Sequence, residues 1–341
     1  MLNLAAGGAV PVLARLSSFV KLHTPISVAA QAKVNLTLAV GGPRPPKGYH
    51  PICSHFHCVD LADDVTISPL PETPAGHITL DVAWAADALR PSPIDWPAEK
   101  DLAVRAAVAA TVRLGITHGL HLTVRKRIPT GGGLGGGSVD AGAVLRLLHG
   151  AAMQAGNVPA AESGQWMTEV GSLLGSDVPF FADPVGIEGD IAPRPAVVEG
   201  YGEQLRRIER THGWLVLIFP PVACPTPAVY REFDAGLPAT GGQGPREPDT
   251  DRVFAAVSAL LGRTIAGELL FNDLAEPAMR VAPQLRVIAV EAGRITGQAV
   301  HVSGSGSTLF VASGAERAAA AKAADRVLRG TGHPAIAVRL V

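Results

Sequence analysis

Between residues 129 and 140 the chain reads P-T-G-G-G-L-G-G-G-S-V-D, with six glycines in the seven positions from Gly131 to Gly137. Without a Cβ, backbone here can come within hydrogen-bond distance of a ligand. A strand-like alternation from His121 to Arg127 ends just before the motif, and Ala141, Val144, Leu145 and Leu148 follow it at helical spacing. The free N–H groups and positive end of that helix would face the loop, an anion site suited to a polyphosphate. G-x-x-x-x-G-K-[ST] is absent, so this is not a P-loop. The G-x-G-x-x-G match at Gly131, Gly133 and Gly136 follows from glycine content, with no early βαβ unit behind it. Ser138 is placed to cap the helix or to reach a metal-bound phosphate, and Asp140 to favour the helix dipole.

Three further places carry chemistry. Lys33 and Asn35 lie in A-K-V-N-L, inside the apolar run 26–40. A lysine there costs free energy unless it meets a charge or snorkels to water. Asp177, in L-G-S-D-V-P-F-F, reads either as a turn or N-cap aspartate or as a general base. A base needs a nearby cation to stay ionised, and Lys33 would supply it. V-H-V-S-G-S-G-S-T-L-F (300–310) is either an ordinary hairpin turn or, around Gly304, Ser305 and Gly306, a second backbone concavity. Cys53-Ser-His55-Phe-His57-Cys58 invites a zinc reading. On a strand, however, Cys58 points away from the other three, and no second Cys/His pair lies at zinc-finger spacing, so no metal is assigned to it.

These residues need elements to hold them. Residues 26–40 read as a bent strand or strand pair, and 51–59, 64–68 and 77–82 as shorter strands between proline-rich turns. Helices are expected over 101–114, after the glycine motif, over 161–174 ending at Gly175, and over 316–328. Strands are expected at 214–219, on both sides of the 303–307 turn, and at 335–340, with a polar Gly/Pro loop at 235–251. Strands and helices interleave without strict βαβ alternation, which favours an α+β fold. The length of 341 residues suggests two domains, at roughly 150 residues each.

A hydrophobic fraction of 47% with 17% charged residues excludes a disordered chain. A net charge of −1 and only 5% aromatics argue against a nucleic-acid partner. No run of 18 or more apolar residues is present, so no membrane span is expected. Three cysteines, too few for a disulfide framework, suit a reducing cytoplasm. Residues 1–24 lack the basic start of a secretory signal and read as a loose extension.

Taken in order, the motifs resemble those of the GHMP small-molecule kinases. They are A-K-V-N-L, G-Y-H (48–50), I-P-T-G-G-G-L-G-G-G-S-V-D-A, L-G-S-D-V-P-F-F, G-Y-G-E (200–203), P-T-P (225–227), N-D-L (272–274) and S-G-S-G, and the resemblance runs from about residue 25 to the C-terminus. G-Y-H with G-S-D-V-P-F is similar to the branch that acts on the cytidine diphosphate ester of methylerythritol, on the methylerythritol phosphate route to isoprenoid precursors. The resemblance implies a domain like the second domain of ribosomal protein S5 over 25–205, and a ferredoxin-like domain over 206–341. It implies ATP and Mg²⁺, with the site between the domains. Pro129, Thr130, Gly131, Gly132, Gly133, Leu134, Gly135, Gly136, Gly137, Ser138 and Val139 would hold ATP, with Asp101 at the adenine. Asp177 would take the proton of the substrate's 2-hydroxyl, with Lys33 and Asn35 beside it. Tyr49, His50 and Tyr230 would hold the cytosine, and Gly304, Ser305 and Gly306 would hold the substrate or brace the phosphate loop. Mevalonate- or homoserine-type kinases and a non-catalytic nucleotide sensor are the alternatives; the former have no base to stack, and a sensor has no need of the Lys33–Asp177 pair. The chain departs from the family pattern at Asp101 (where Asn is usual), at Val139 and Gly142, in an insertion of roughly ten residues over 183–194, and in its N-terminal extension.

Overall fold

In the computed structural model, which describes residues 20–44, 46, 48–156, 164–185, 192–237 and 246–341, the run carrying Lys33 and Asn35 is one strand, β1 (Ile26–Val40). It pairs antiparallel with β2 (Ile52–Pro74), and the register shifts twice, between Gln31 and Lys33 and between Asn35 and Thr37. Such shifts bend a strand and re-aim its side chains, and here they flank the two polar residues.

The stretches 51–59 and 64–68, expected as separate strands, are both part of β2. The acidic run Asp60-Leu-Ala-Asp-Asp, at the expected break between those two strands, stays extended because its charges are met. Asp63 is fully buried against Lys126, and Asp60 accepts the Arg339 N–H at 2.8 Å. The prolines act only at the far end, where the ladder slips between Leu70 and Pro74.

The chain continues with β3 (Ile78–Trp84), α1 (Leu102–Leu114), β4 (His118–Lys126), α2 (Gly136–Gln154), α3 (Gln165–Leu174) and α4 (Val178–Phe181). A hairpin of β5 (Ala196–Gly200) and β6 (Gln204–Arg207) follows, then β7 (Trp214–Ile218), α5 (Thr226–Ala235), α6 (Thr250–Leu260), β8 (Phe271–Asn272) and α7 (Ala275–Val281). The last elements are α8 (Pro283–Thr296), β9 (Val300–Val302), β10 (Leu309–Ala312), α9 (Arg317–Thr331) and β11 (Ala335–Arg339). Residues 186–191 of the expected insertion, 161–163 of the expected third helix and 238–245 of the expected polar loop lie outside the described residues.

The larger sheet runs β3-β4-β2-β1-β8. The free edge of β2 is shared, with β5 pairing Ile52–Phe56 and β4 pairing the stretch from Asp64 onward. The smaller sheet is antiparallel, β11-β7-β10-β9. This is an α+β arrangement. The main core crosses between the halves, joining Phe56, Leu134 and Phe181 to Leu217 and Phe310. Val20 and Leu22 are also in that core, with Leu22 N–H donating to His118 Nε2 at 3.0 Å. Packed structure therefore begins before residue 25, inside the stretch expected to be a loose extension.

Candidate active site

Lys33 is buried and its Nζ donates to Asn35 Oδ1 at 2.6 Å. Asn35 is fixed in turn, its Nδ2 donating to Ser54 Oγ at 2.9 Å. The Lys33 ammonium lies 4.6 Å from the centre of the Phe56 ring and 3.6 Å from Asp177 Oδ2. That last separation is an ion-pair distance, longer than a direct hydrogen bond. Asp177 occupies the N-cap position of α4 but makes no capping hydrogen bond, so its carboxylate is not spent on the helix. Its side chain is 28% exposed and faces the cleft.

Two close approaches hold the Asp177 turn. A Cβ on Gly142 of α2 would meet Phe181 Cβ at 2.3 Å, so glycine lets α4 lie directly on α2. Gly202, at φ +111°, sits where a Cβ would be 2.2 Å from Ser176 O, so the G-Y-G-E turn abuts the residue before Asp177. Arg207 of β6 closes the other end, donating to Phe180 O at 2.7 Å.

The glycine loop is tied down on both sides. Lys33 N–H donates to Leu134 O at 3.1 Å, Thr308 N–H to Gly132 O at 3.2 Å and Ser303 Oγ to Gly133 O at 3.0 Å. Gly133 could bear no side chain, since its Cβ would fall 2.0 Å from Ser303 O. Gly131, at φ +66°, instead has nothing within 4 Å of where a Cβ would stand, and it lines the cleft. Helix α2 starts at Gly136, with Gly135 as N-cap and no side-chain cap. Its first N–H groups therefore keep their need for an acceptor. A polyphosphate fits this cradle.

Several expectations change here. Ser138 lies inside the first turn of α2 and is not its cap. Asp140 does more than favour the dipole: it is buried with Oδ2 2.5 Å from Lys126 Nζ, which also lies 2.5 Å from Asp63 Oδ2. Burial pushes the Asp140 carboxyl well above the usual carboxylate range, against the pull of Lys126 and with the help of Asp63. Asp63 Oδ1 meanwhile accepts the Arg127 and Ile128 N–H groups, at 2.5 and 2.8 Å, where the chain enters the glycine loop. Leu134 and Val139 point into the core, and Pro129 is buried. Asp101 caps α1, accepting from Ala103 N–H at 2.8 Å, and its other oxygen takes Trp96 Nε1–H at 2.8 Å. His57 is held by backbone, its Nδ1 2.9 Å from Cys58 O and its Nε2 accepting Thr211 N–H at 3.2 Å.

Thr130, Gly133, Gly135, Gly304 and Ser305 line the same cleft of about 1160 Å³ as Lys33, Asn35 and Asp177. Gly306 sits behind them against Cys224, and Ser305 Oγ is 2.8 Å from Thr226 Oγ1. One wall of the cleft is aromatic. His50 Nε2 is 2.7 Å from Asp234 Oδ1, and its ring lies 4.6 Å from that of Tyr230, tilted by 41°. Tyr49 stands at the rim, edge-on to Tyr201 with ring centres 6.3 Å apart. Burial, and then Asp177, raise the Tyr230 phenol above its ordinary pKa.

Residue-by-residue reading missed Ser54, Arg207 and Asp234. Asp234 alone had a signal, four residues after Tyr230 on one helix. N-D-L is also explained: Asn272 Nδ2 donates to Val302 O and Gly304 O, at 2.7 and 2.8 Å, bracing the S-G-S turn.

Fold and site together define a GHMP kinase: the model of the GHMP kinases N terminal domain matches residues 101–183. A solved 4-(cytidine 5'-diphospho)-2C-methyl-D-erythritol kinase is similar with a TM-score of 0.66 at 29% identity, covering 92% of this chain and 99% of that one. Homoserine kinase from Cytophaga hutchinsonii shares the fold, with a TM-score of 0.61 at 15% identity over 95% and 96% of the two chains. The 4-diphosphocytidyl-2-C-methyl-D-erythritol kinase of Thermobifida fusca is 35% identical over 312 residues, 89% of this chain and 92% of its own. The chain belongs to the 4-diphosphocytidyl-2-C-methyl-D-erythritol kinase family.

Proposed function

We propose that the chain transfers the γ-phosphoryl group of ATP to the 2-hydroxyl of 4-diphosphocytidyl-2-C-methyl-D-erythritol. The observation that carries this is the placement of Asp177, uncommitted to its helix and 3.6 Å from a buried lysine, in one cleft with the glycine loop. Asp177 accepts the hydroxyl proton as the new O–P bond forms and the bond to the ADP leaving group breaks, with no covalent enzyme intermediate. Lys33, 3.6 Å from Asp177 Oδ2, orients the carboxylate and draws the hydroxyl oxygen toward the phosphoryl group. The N–H groups at Gly131 and at the start of α2 receive the phosphates. Tyr49, His50 and Tyr230 hold the cytosine ring. We place the division between the two domains near residue 206, at the end of the β5–β6 hairpin.

Mg²⁺, if bound with the nucleotide, would supply charge screening of the phosphates. Among the described residues no group of three or more His, Cys, Asp or Glu could hold an ion. The Ser138 hydroxyl, in the first turn of α2, is the side-chain oxygen of the glycine motif that would reach a phosphate-bound Mg²⁺. No helix of the described residues is long and apolar enough to cross a membrane.

The test is an ADP-release assay with the cytidyl substrate, mevalonate and homoserine side by side. Turnover should appear with the first alone. Turnover on mevalonate or homoserine without it would overturn the substrate assignment.

A further inference from the structure

The cleft has a second half-buried cation whose charge nothing described so far uses. Arg90 lies in the segment between β3 and α1 and lines the cleft together with Gly131 and Gly133. Among the described residues no carboxylate lies within ion-pair distance of it, and the ionisable neighbour it feels is the Cys224 thiol. Its guanidinium donates to Ser307 Oγ at 3.4 Å and to Val222 O at 3.3 Å. Both bonds are at the long end of the range, and they leave most of its five donors unspent. Lys33, by contrast, is committed to Asn35 and Asp177.

The position of Arg90 is fixed from both sides. Two residues along, Ser92 Oγ lies 2.8 Å from Thr130 Oγ1 at the start of the glycine motif, and Ser92 O accepts Trp84 Nε1–H at 2.6 Å. On the other side, its partner Ser307 adjoins Thr308, whose N–H holds Gly132 O. Arg90 thus shares the cleft with Gly131 and Gly133, and its neighbours Ser92 and Ser307 tie its position to the glycine loop. A half-buried cation with no anion of its own is costly, and burial does pull its pKa below the ordinary value. A planar fork of donors beside a backbone anion cradle is complementary to phosphate oxygens.

We propose that Arg90 binds a phosphate group of a nucleotide polyphosphate held in this cleft, completing the anion site that the glycine loop and the start of α2 begin. The inference rests on the kinase reading, which brings two such anions here: the triphosphate of ATP and the diphosphate of the cytidyl substrate.

The experiment is calorimetric titration of the full chain and of Arg90→Ala, Arg90→Gln and Arg90→Lys with ADP, adenosine, CDP and cytidine, after thermal melts of each variant. Arg90→Ala should weaken one or both diphosphates on the order of 10- to 100-fold, the scale of charge-assisted hydrogen bonds, and leave the nucleosides unchanged. Loss confined to ADP assigns the phosphate to ATP, and loss confined to CDP assigns it to the acceptor substrate. Arg90→Gln keeps donors for Ser307 and Val222 without the charge and should bind as weakly as the alanine variant, while Arg90→Lys should recover part of the affinity. Equal weakening of nucleoside and diphosphate, no weakening at all, or full recovery with glutamine would make Arg90 a brace between the halves and overturn the proposal. Wild-type turnover is measured in parallel. A chain that binds ADP through Arg90 yet fails to phosphorylate the cytidyl substrate would overturn the reaction assigned above and leave this proposal standing.

Discussion

Lys33 is a cation that the protein has taken out of water, and the groups around it define what it can do. Its three donors meet one amide oxygen, one carboxylate and an aromatic face. Lys33→Met should therefore remove the charge that orients Asp177 and the hydroxyl while leaving the glycine cradle intact. The expected outcome is a fall in kcat on the order of 10²- to 10⁴-fold, the range for general acid–base groups, with the KM for ATP changed little. A steady-state ATP titration checks this, and a KM rise with unchanged kcat would contradict it. At this scale much of the site was legible, because a lysine in an apolar strand and a carboxylate before Val-Pro-Phe-Phe are costly unless used. Ser54 and Arg207 were not legible. Each acts by a bond to a partner 17 or more positions away, and nothing in its neighbours along the chain marks it.

Elements hold these residues by close approach and by one buried charge cluster. Gly142 lies where a Cβ would be 2.9 Å from the Phe181 carbonyl carbon, so Gly142→Ala must push α4 off α2 and carry Asp177 with it. We expect kcat to fall on the order of 10- to 100-fold, since displacements near 1 Å cost that much, with ATP affinity retained. Wild-type kcat in a folded Gly142→Ala protein would contradict this. Lys126 joins β2, β4 and α2 through Asp63 and Asp140. Lys126→Met would leave the Asp63–Asp140 pair without its cation and should cost about 3–5 kcal/mol, a Tm drop on the order of 10 °C. Calorimetry reads it directly, and an unchanged Tm would mean the cluster is not a clamp. The elements themselves were legible where periodicity was long, as in α1, α2 and α9. The extent of β2 was not: the charges of Asp-Leu-Ala-Asp-Asp interrupt the apolar pattern, and the partners of Asp63 and Asp60, Lys126 and Arg339 of the C-terminal strand, are distant in sequence.

For the whole molecule, the core that runs between the halves makes stability and site geometry one property. It also holds histidines in the neutral form. Burial pushes His55 down to about 3 and His57 and His301 to about 4, against about 6.5 for an exposed imidazole. Between those values the unfolded chain binds more protons than the folded one. The stability that these groups contribute is therefore complete above pH 6.5 and is lost as pH falls toward 4. Tm measured from pH 7.5 to 4.5 should decline across that window. His55→Leu, which removes a ring with two unpartnered nitrogens, should flatten the decline. A Tm independent of pH down to 4.5 would contradict the burial of these rings. The two-domain estimate came from length and from the family resemblance, whereas the shared core, with Leu217 and Phe310 in one cluster with Phe56 and Phe181, could not be read from a sequence in which those residues lie far apart.

The reaction itself turns on Asp177. The most direct measurement is single-turnover transfer from ATP to 4-diphosphocytidyl-2-C-methyl-D-erythritol by Asp177→Asn beside the wild type, with ATP affinity measured on the same preparations. We predict that the variant binds ATP as the wild type does and forms phosphorylated product at least about 10²-fold more slowly, as loss of a general base requires. Transfer at the wild-type rate by a variant that binds ATP normally would place the base elsewhere and contradict the mechanism.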